Sequence, residues 1–311
     1  MNGKPHRLNC HDTSLPRSIS HLRPCGRRQA GMTSHDVIGR LRRIFHTRRV
    51  GHAGTLDPLA TGVLIVGINR GTKFLTHLVA ATKSYQATIR LGMATTTDDA
   101  EGAEISRADT THLTDDDIAA ALSQFIGRIM QRPAAVSAIK IDGKRAHERV
   151  RAGESITIPA REVTISQLTP TGFDHHDGFI DMNITVDCSS GTYIRSIARD
   201  LGEVLHVGGH ITALRRTAVG NFTLADTRTL TQLETDPHLS LSLDQALTRC
   251  YPTLAITEAE ATALSLGQWL PARGLGGTHA AVSPDGRSIA LVKETGNRLA
   301  TVFVARPATL T

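Results

Sequence analysis

A chain of 311 residues, 40% hydrophobic and 21% charged, has the make-up of a globular protein with room for one large domain and a small one. It contains no apolar run of membrane-spanning length and no apolar stretch of the kind that directs secretion. The four cysteines (Cys10, Cys25, Cys188, Cys250) form no Cys-x-x-Cys pair, so structural zinc is disfavoured and a cytoplasmic enzyme is expected.

Net charge is +6, unevenly spread. Residues 1–50 hold eleven Lys/Arg against Asp12 and Asp36, a balance of +9, which leaves 24 basic and 27 acidic residues for the remainder. Such asymmetry points to a polyanionic partner, the alternative being a solvated basic tail. Aromatic residues are only 4%, with one Trp and three Tyr. A nucleic acid would therefore be read by shape and phosphates rather than by a row of stacked bases.

In chain order, residues 1–29 are basic, broken by Pro5, Pro16 and Pro24, and lack a helical or strand period, so they are expected to be mostly disordered. Thr33 or Ser34 caps a helix to about Phe45, with Val37, Ile38, Leu41 and Ile44 on one face. Arg40, Arg42, Arg43, Arg48 and Arg49 lie on its exposed side and the following turn, as solubilising charge or as phosphate contacts. Then comes Gly51-His52-Ala53-Gly54-Thr55-Leu56-Asp57-Pro58-Leu59-Ala60-Thr61-Gly62, followed by the apolar run Val63–Ile68, a buried strand. Pro58 fixes its own φ and pushes Asp57 toward extended backbone, so the carboxylate is presented on a stiff turn at a sheet edge. A purely structural turn residue is the other reading of Asp57.

Gly71-Thr72-Lys73 opens a helix through Leu78, with Lys73 in its first turn against the helix dipole, a misfit that suggests a ligand. Lys83–Gly92 alternates as a half-buried strand, with Tyr85, Ala87, Ile89 and Leu91 on one face. In the polar loop Thr95–Gly102, Asp98, Asp99 and Glu101 lack the spacing of a calcium loop, and no metal is expected. Thr114 caps a helix from Asp115 to about Phe125, and a basic helix is expected after Gly143. Residues 155–188 read as two or more strands joined across Asp174–Gly178, with His175 and His176 at a hairpin tip. Ser190 or Thr192 can cap a helix whose stripe is Ile194, Ile197, Ala198, Leu201 and Leu205, with Tyr193 and Arg195 at its start. From about Cys250, short apolar runs (Ala280–Val282, Ile289–Val292, Thr301–Val304) alternate with Gly/Asp turns, the texture of a small β-rich domain.

The octapeptide Gly51–Pro58 resembles the active-site motif of the TruB family, bacterial tRNA pseudouridine synthases acting on uridine 55. The resemblance runs from about Ala30 to the C-terminus and takes in Thr95–Gly102, Ser137-Ala138-Ile139-Lys140, Cys188–Gly202, Gly208-Gly209-His210 and Ala213-Leu214-Arg215-Arg216-Thr217. It implies Asp57 as catalytic nucleophile and Arg195 as its partner. It further implies His52, Lys73, Tyr85, Asp99, Tyr193 and Leu214 as substrate-binding residues, Tyr85 stacking on the base and Tyr193 walling its pocket. Two departures stand out. His147 replaces a usual tyrosine, and the apolar strand leading into Asp-Lys-Pro-x-Gly has no counterpart, with Arg28 where the lysine would be. The implied fold is mixed α/β (α+β), a largely antiparallel sheet with flanking helices. The implied domains are an atypical basic N-terminus (1–29), a catalytic domain (30–249) and a small PUA-like RNA-binding domain (250–311).

Pseudouridine formation breaks the N1–C1′ bond of uridine, turns the ring and rejoins it through C5, with neither redox nor phosphoryl transfer. No cofactor is expected, in keeping with a sequence that has no P-loop and no dinucleotide fingerprint. The expected partner is the T-arm stem-loop of tRNA, with the protein a monomer bound to no membrane and no nucleotide cofactor. Two other readings remain open. One is a tRNA-binding or tRNA-folding protein with impaired catalysis because of its N-terminus. The other is a glycoside hydrolase using Asp57, for which Asp99 is the obvious second carboxylate.

Overall fold

The computed structural model describes residues 21–25, 31–78, 81–134, 140–141, 144–145 and 158–310. The chain begins with β1 (His21–Cys25), α1 (Ser34–Ile44), β2 (Val50–Ala53), β3 (Thr61–Gly62), β4 (Leu64–Ile68), α2 (Gly71–Phe74) and β5 (Lys83–Leu91). A small hairpin of β6 (Met93–Thr95) and β7 (Glu104–Arg107) follows, then α3 (Asp115–Ser123), β8 (Gly127–Gln131) and the short pair β9 (Lys140–Ile141) and β10 (Lys144–Arg145). Next come β11 (Arg161–His176), β12 (Phe179–Cys188), α4 (Ile194–Val204), β13 (Gly209–Val219), β14 (Phe222–Thr223), α5 (Leu230–Thr235) and α6 (Leu243–Cys250). The C-terminal unit holds β15 (Thr253–Ala255), α7 (Glu258–Ser265), β16 (Leu270–Pro271), β17 (Thr278–Val282), β18 (Ser288–Thr295) and β19 (Arg298–Val304).

The main sheet has the order β14-β13-β5-β12-β11-β8, antiparallel throughout this path, with β3 added parallel to β13. Its central strand β5 alternates strictly, burying Lys83, Tyr85, Ala87, Ile89 and Leu91, as a sheet covered on one face requires. The β11–β12 hairpin turns on Asp177 and Gly178, both at positive φ, the geometry of a two-residue type I′ turn. The stripes of α1 and α4 pack on the sheet, and with α3 and α5 they enclose one continuous apolar cluster. α1 and α3 each begin with a capping box, from Thr33 to Asp36 and from Thr114 to Asp117.

A second sheet has the order β1-β4-β2. β4 is central there and buried at every position, which explains its unbroken apolar run. The C-terminal sheet has the order β15-β17-β18-β19-β16. Its face is tied to the rest of the molecule by an apolar cluster that joins Ala280, Leu291 and Phe303 to Ile65, Phe74, Leu78 and Leu247.

Four expectations are corrected. His21–Cys25 pairs antiparallel with the full length of β4, so a strand stands where the sequence offered no strand signal. Pro24 is tolerated because β1 is an edge strand. The Gly71–Leu78 helix is one α-turn followed by a 3₁₀ segment, Leu75–Leu78; Lys73 therefore sits in the last turn, and the dipole argument lapses. Neither Ser190 nor Thr192 caps α4. Tyr193 is its N-cap and makes no side-chain cap. A helix, α7, also opens the β-rich C-terminal unit on a capping box from Thr257 to Glu260. The expectations for most of residues 1–29, for the segment Ser137–Ile139, for the basic helix after Gly143 and for His147 lie outside the described residues.

Candidate active site

The loop between β2 and β3 carries Asp57, and its shape is set by contacts from distant parts of the chain. The Ser34 hydroxyl at the start of α1 accepts from Leu56 N–H at 3.0 Å and donates to Leu56 C=O at 3.3 Å. A tight turn follows, with Ala60 N–H donating to Asp57 C=O at 2.9 Å. Gly62, at φ +103, lies so close to β13 that a Cβ there would sit 2.1 Å from the Arg216 carbonyl oxygen. Only glycine admits that approach.

Arg195, one residue into α4, meets the Asp57 carboxylate with two nitrogens, Nε to Oδ2 at 3.0 Å and Nη2 to Oδ1 at 3.1 Å. Its third nitrogen, Nη1, donates to Thr97 C=O at 2.9 Å and pairs with Asp99 Oδ2 at 3.2 Å. The Arg195 and Asp99 side chains are 5% and 4% exposed, whereas Asp57 is 33% exposed. One buried guanidinium is thus held from behind by Asp99 and presents a fixed, charge-assisted fork to the solvent-facing acid. Asp99 is itself tied down by Thr97 Oγ1 and by Glu101 N–H. The adjacent Asp98 is occupied by Arg199 at 3.0 Å, and burial raises its carboxyl above the ordinary range.

Asp57 opens onto a cleft of about 310 Å³ lined by Tyr85, Tyr193, Leu214, Lys83 and Arg216. Arg216 is 1% exposed. Its guanidinium donates to the carbonyls of Val63 at 2.8 Å, Gly54 at 3.0 Å and Thr55 at 3.4 Å. The neighbouring Tyr85 hydroxyl is pushed up by burial. On the opposite wall the Gln131 amide grips the backbone of Tyr193. Its oxygen accepts from Tyr193 N–H at 2.7 Å and its nitrogen donates to Tyr193 C=O at 3.0 Å. Gln131 thereby supplies the cap that α4 lacks, one turn from Arg195.

Of the residues singled out in the sequence, Asp57, Arg195, Tyr85, Tyr193 and Leu214 come together at this cleft. Three expected substrate contacts lie elsewhere. Asp99 sits behind Arg195, so its carboxylate supports the arginine and faces no cleft, which also removes the second acid a glycoside hydrolase would use. His52 points from β2 into a half-buried site, where burial first and then the charges of Arg216 and His35 lower its basicity; its Nδ1 has no hydrogen-bond partner among the described residues. Lys73 is exposed and lines a larger cleft of about 1240 Å³ between the α2 region and the C-terminal unit, with Arg49, Arg70, Arg287 and Arg306. Sequence reasoning missed Ser34, Lys83, Gln131 and Arg216 as parts of the site. Only the charge of Lys83 and Arg216 at inward strand positions could have flagged any of them.

Residues 42–194 match the family described as TruB family pseudouridylate synthase (N terminal domain). Residues 195–250 match tRNA pseudouridylate synthase B C-terminal domain, and 251–306 match tRNA Pseudouridine synthase II, C terminal. A Corynebacterium aurimucosum protein named tRNA pseudouridine synthase B is 65% identical over 281 residues, 90% of this chain and 95% of that one. A protein of the same name from Rhodococcus jostii is 50% identical over 284 residues, 91% and 93% of the two chains. Among solved structures, an H/ACA RNP bound to a substrate RNA containing 2′-deoxyuridine matches with TM-score 0.68 at 21% identity, over 93% of this chain and 86% of that one. An archaeal box H/ACA sRNP Nop10–Cbf5 complex matches with TM-score 0.67 at 22% identity, over 93% and 87%. At these identities the two structures speak to the fold.

Proposed function

The chain belongs to the TruB family of pseudouridylate synthases, and from that membership we propose that it converts uridine 55 in the T-arm stem-loop of tRNA to pseudouridine. Asp57 is the catalytic nucleophile, acting on a uridine flipped out of its stack. The observation that carries this reading is the two-nitrogen pairing of Arg195 with a partly exposed Asp57 at the mouth of a cleft walled by Tyr85, Tyr193 and Leu214. Arg195 holds the carboxylate aimed, so the reaction does not have to organise it. Tyr85, Tyr193 and Leu214 supply the apolar faces that offset the few kcal/mol of unstacking.

The remaining assignments follow from position. Asp99 acts through Arg195. Lys73 and Arg49, in the larger cleft, face the phosphates of the stem, and His52 braces β2 beneath the loop. Residues 30–249 carry the catalysis and 250–311 a small RNA-binding module, a division supported by family matches that meet at 250 and 251. The enzyme works as a monomer in the cytoplasm and needs no cofactor, because the reaction is an isomerisation.

The test is tritium release from C5-labelled uridine in a T-arm stem-loop, comparing the parent with Asp57→Asn. The parent is expected to release tritium, and the variant, which keeps the shape but not the charge, to release none above background. A parent that binds the stem-loop without releasing tritium would leave a tRNA-binding protein in place of a synthase.

A further inference from the structure

We propose that Lys83 is a further catalytic residue, its ammonium group holding the negative charge that develops on the uracil ring as the N1–C1′ bond breaks. The inference rests on the synthase reading above and names a group that acts on the leaving base.

Lys83 opens β5, two residues before Tyr85, so both side chains stand on the same face of the sheet. Both line the cleft into which Asp57 opens. The lysine is 9% exposed. Its chain runs beneath the Asp57 loop, Cε lying 3.7 Å from where a Cβ on Gly54 would be. Nζ donates to Ala81 C=O at 2.9 Å. That contact uses one of the three donors of an ammonium group.

The electrostatics are unusual for a structural lysine. Beside it lie Arg216, also buried, and the thiol of Cys188, which burial pushes up to about 11 and so keeps neutral, while the Asp57 carboxylate, paired with Arg195, shares the cleft. Among the described residues no carboxylate pairs with Lys83. Burial first, and the Arg216 charge second, lower its pKa. Two adjacent buried cations without an acid between them are costly to fold. Arg216 is committed to loop carbonyls, whereas Lys83 has donors to spare at the cleft. An anion arriving in the cleft repays that cost, and the reaction supplies one.

When the N1–C1′ bond breaks, its electron pair stays with the ring and spreads from N1 onto O2 and O4. C1′ is taken by a carboxylate oxygen of Asp57, or becomes part of a double bond as Asp57 removes the 2′ proton. The ring anion then attacks C1′ through C5, the Asp57 ester is displaced or the 2′ proton returned, and the C5 proton leaves to water. A fixed cation beside the ring oxygens stabilises the charge where it develops and not in the substrate before cleavage.

The experiment compares the parent with Lys83→Met and Lys83→Arg, reading kcat and stem-loop Kd for uridine and for 6-azauridine, whose ring anion is intrinsically more stable and which keeps O2, O4 and the C5 proton. For uridine, K83M is expected to lower kcat on the order of 10²-fold while Kd stays within about twofold, and K83R to recover most of the loss. The K83M penalty is expected to shrink for 6-azauridine. An equal penalty on both substrates, full activity of K83M, or a loss confined to Kd each overturns the proposal. If K83M does not fold, Lys83→Gln keeps a donor without the charge and must show the same fall in kcat. A parent without turnover overturns the synthase reading and this proposal with it; an active parent with an equally active variant overturns this proposal alone.

Discussion

Two arginines hold the Asp57 loop by opposite means. Arg195 binds the carboxylate and Arg216 binds the backbone carbonyls just before it, so the acid is fixed both at its tip and at its root. Each is almost fully buried, and removing Arg195 would take the shared guanidinium from the Asp57 and Asp99 carboxylates, a loss of about 3–5 kcal/mol for a buried ion pair. His52 shows the cost of so much local charge. In the folded protein its pKa lies below the ordinary imidazole value of 6.5, through burial, Arg216 and His35. Above that value the ring is neutral in both folded and unfolded chains, and the site costs nothing. As pH falls below it the unfolded chain takes up the proton more readily, so stability drops until the folded pKa is also passed. The parent should therefore lose more Tm between pH 7 and pH 5 than His52→Gln. His77 is lowered too, and Asp98 and Asp200 are raised, but these groups are present in both proteins and cancel in the comparison. Parallel Tm curves for the two proteins would refute the assignment.

At the scale of elements, what was legible in the sequence was what repeats within a short window. α1, α3, β5 and α4 follow their apolar periods closely, and the Asp57 loop announced itself through its glycines and proline. The illegible parts are contacts between residues far apart in the chain. Ser34 bonds Leu56, Gln131 bonds Tyr193 and Arg216 bonds Gly54 across 22, 62 and 162 positions, and no local pattern encodes such pairs. β1 was missed for the same reason, since its strand character comes from the waiting edge of β4. Gln131 shows how much such a contact carries. It is 1% exposed and satisfies both the N–H and the C=O of Tyr193 at the head of the helix that aims Arg195. Gln131→Ala takes the acceptor from Tyr193 N–H and one donor from Tyr193 C=O, which Ile197 N–H still meets at 3.4 Å, at about 1–3 kcal/mol in all. We expect a clear fall in Tm and a kcat that drops more than stem-loop affinity, because Tyr193 and Arg195 lose their placement while the basic surface is intact. Gln131→Glu retains the acceptor but not the donor and should fall between. A variant with unchanged kcat would show that α4 holds its start without the clamp.

At the scale of the whole molecule, the C-terminal sheet is fastened to α2 and the 3₁₀ segment that follow β4. Phe303 of β19 lies 6.0 Å from Phe74 and 5.8 Å from His77, and Arg70 donates to Val304 C=O at 3.0 Å while its guanidinium covers the Phe303 ring. Arg70 of this seam also lines the large basic cleft, so the position of the C-terminal unit sets the width of that cleft. The basic excess of the first fifty residues continues into that cleft through Arg49. Arg40, by contrast, is drawn into an ion pair with Glu234. If Arg49 and Lys73 contact phosphates, each contributes about 0.7–0.9 to the slope of log affinity against log salt. Arg49→Ala with Lys73→Ala should then flatten that slope by about 1.5 for the T-arm stem-loop while leaving kcat at saturation unchanged, because neither residue lines the Asp57 cleft. An unaltered slope would place the phosphate backbone on another face of the protein, and a fall in kcat would mean that the seam transmits strain from the large cleft to the loop that carries Asp57.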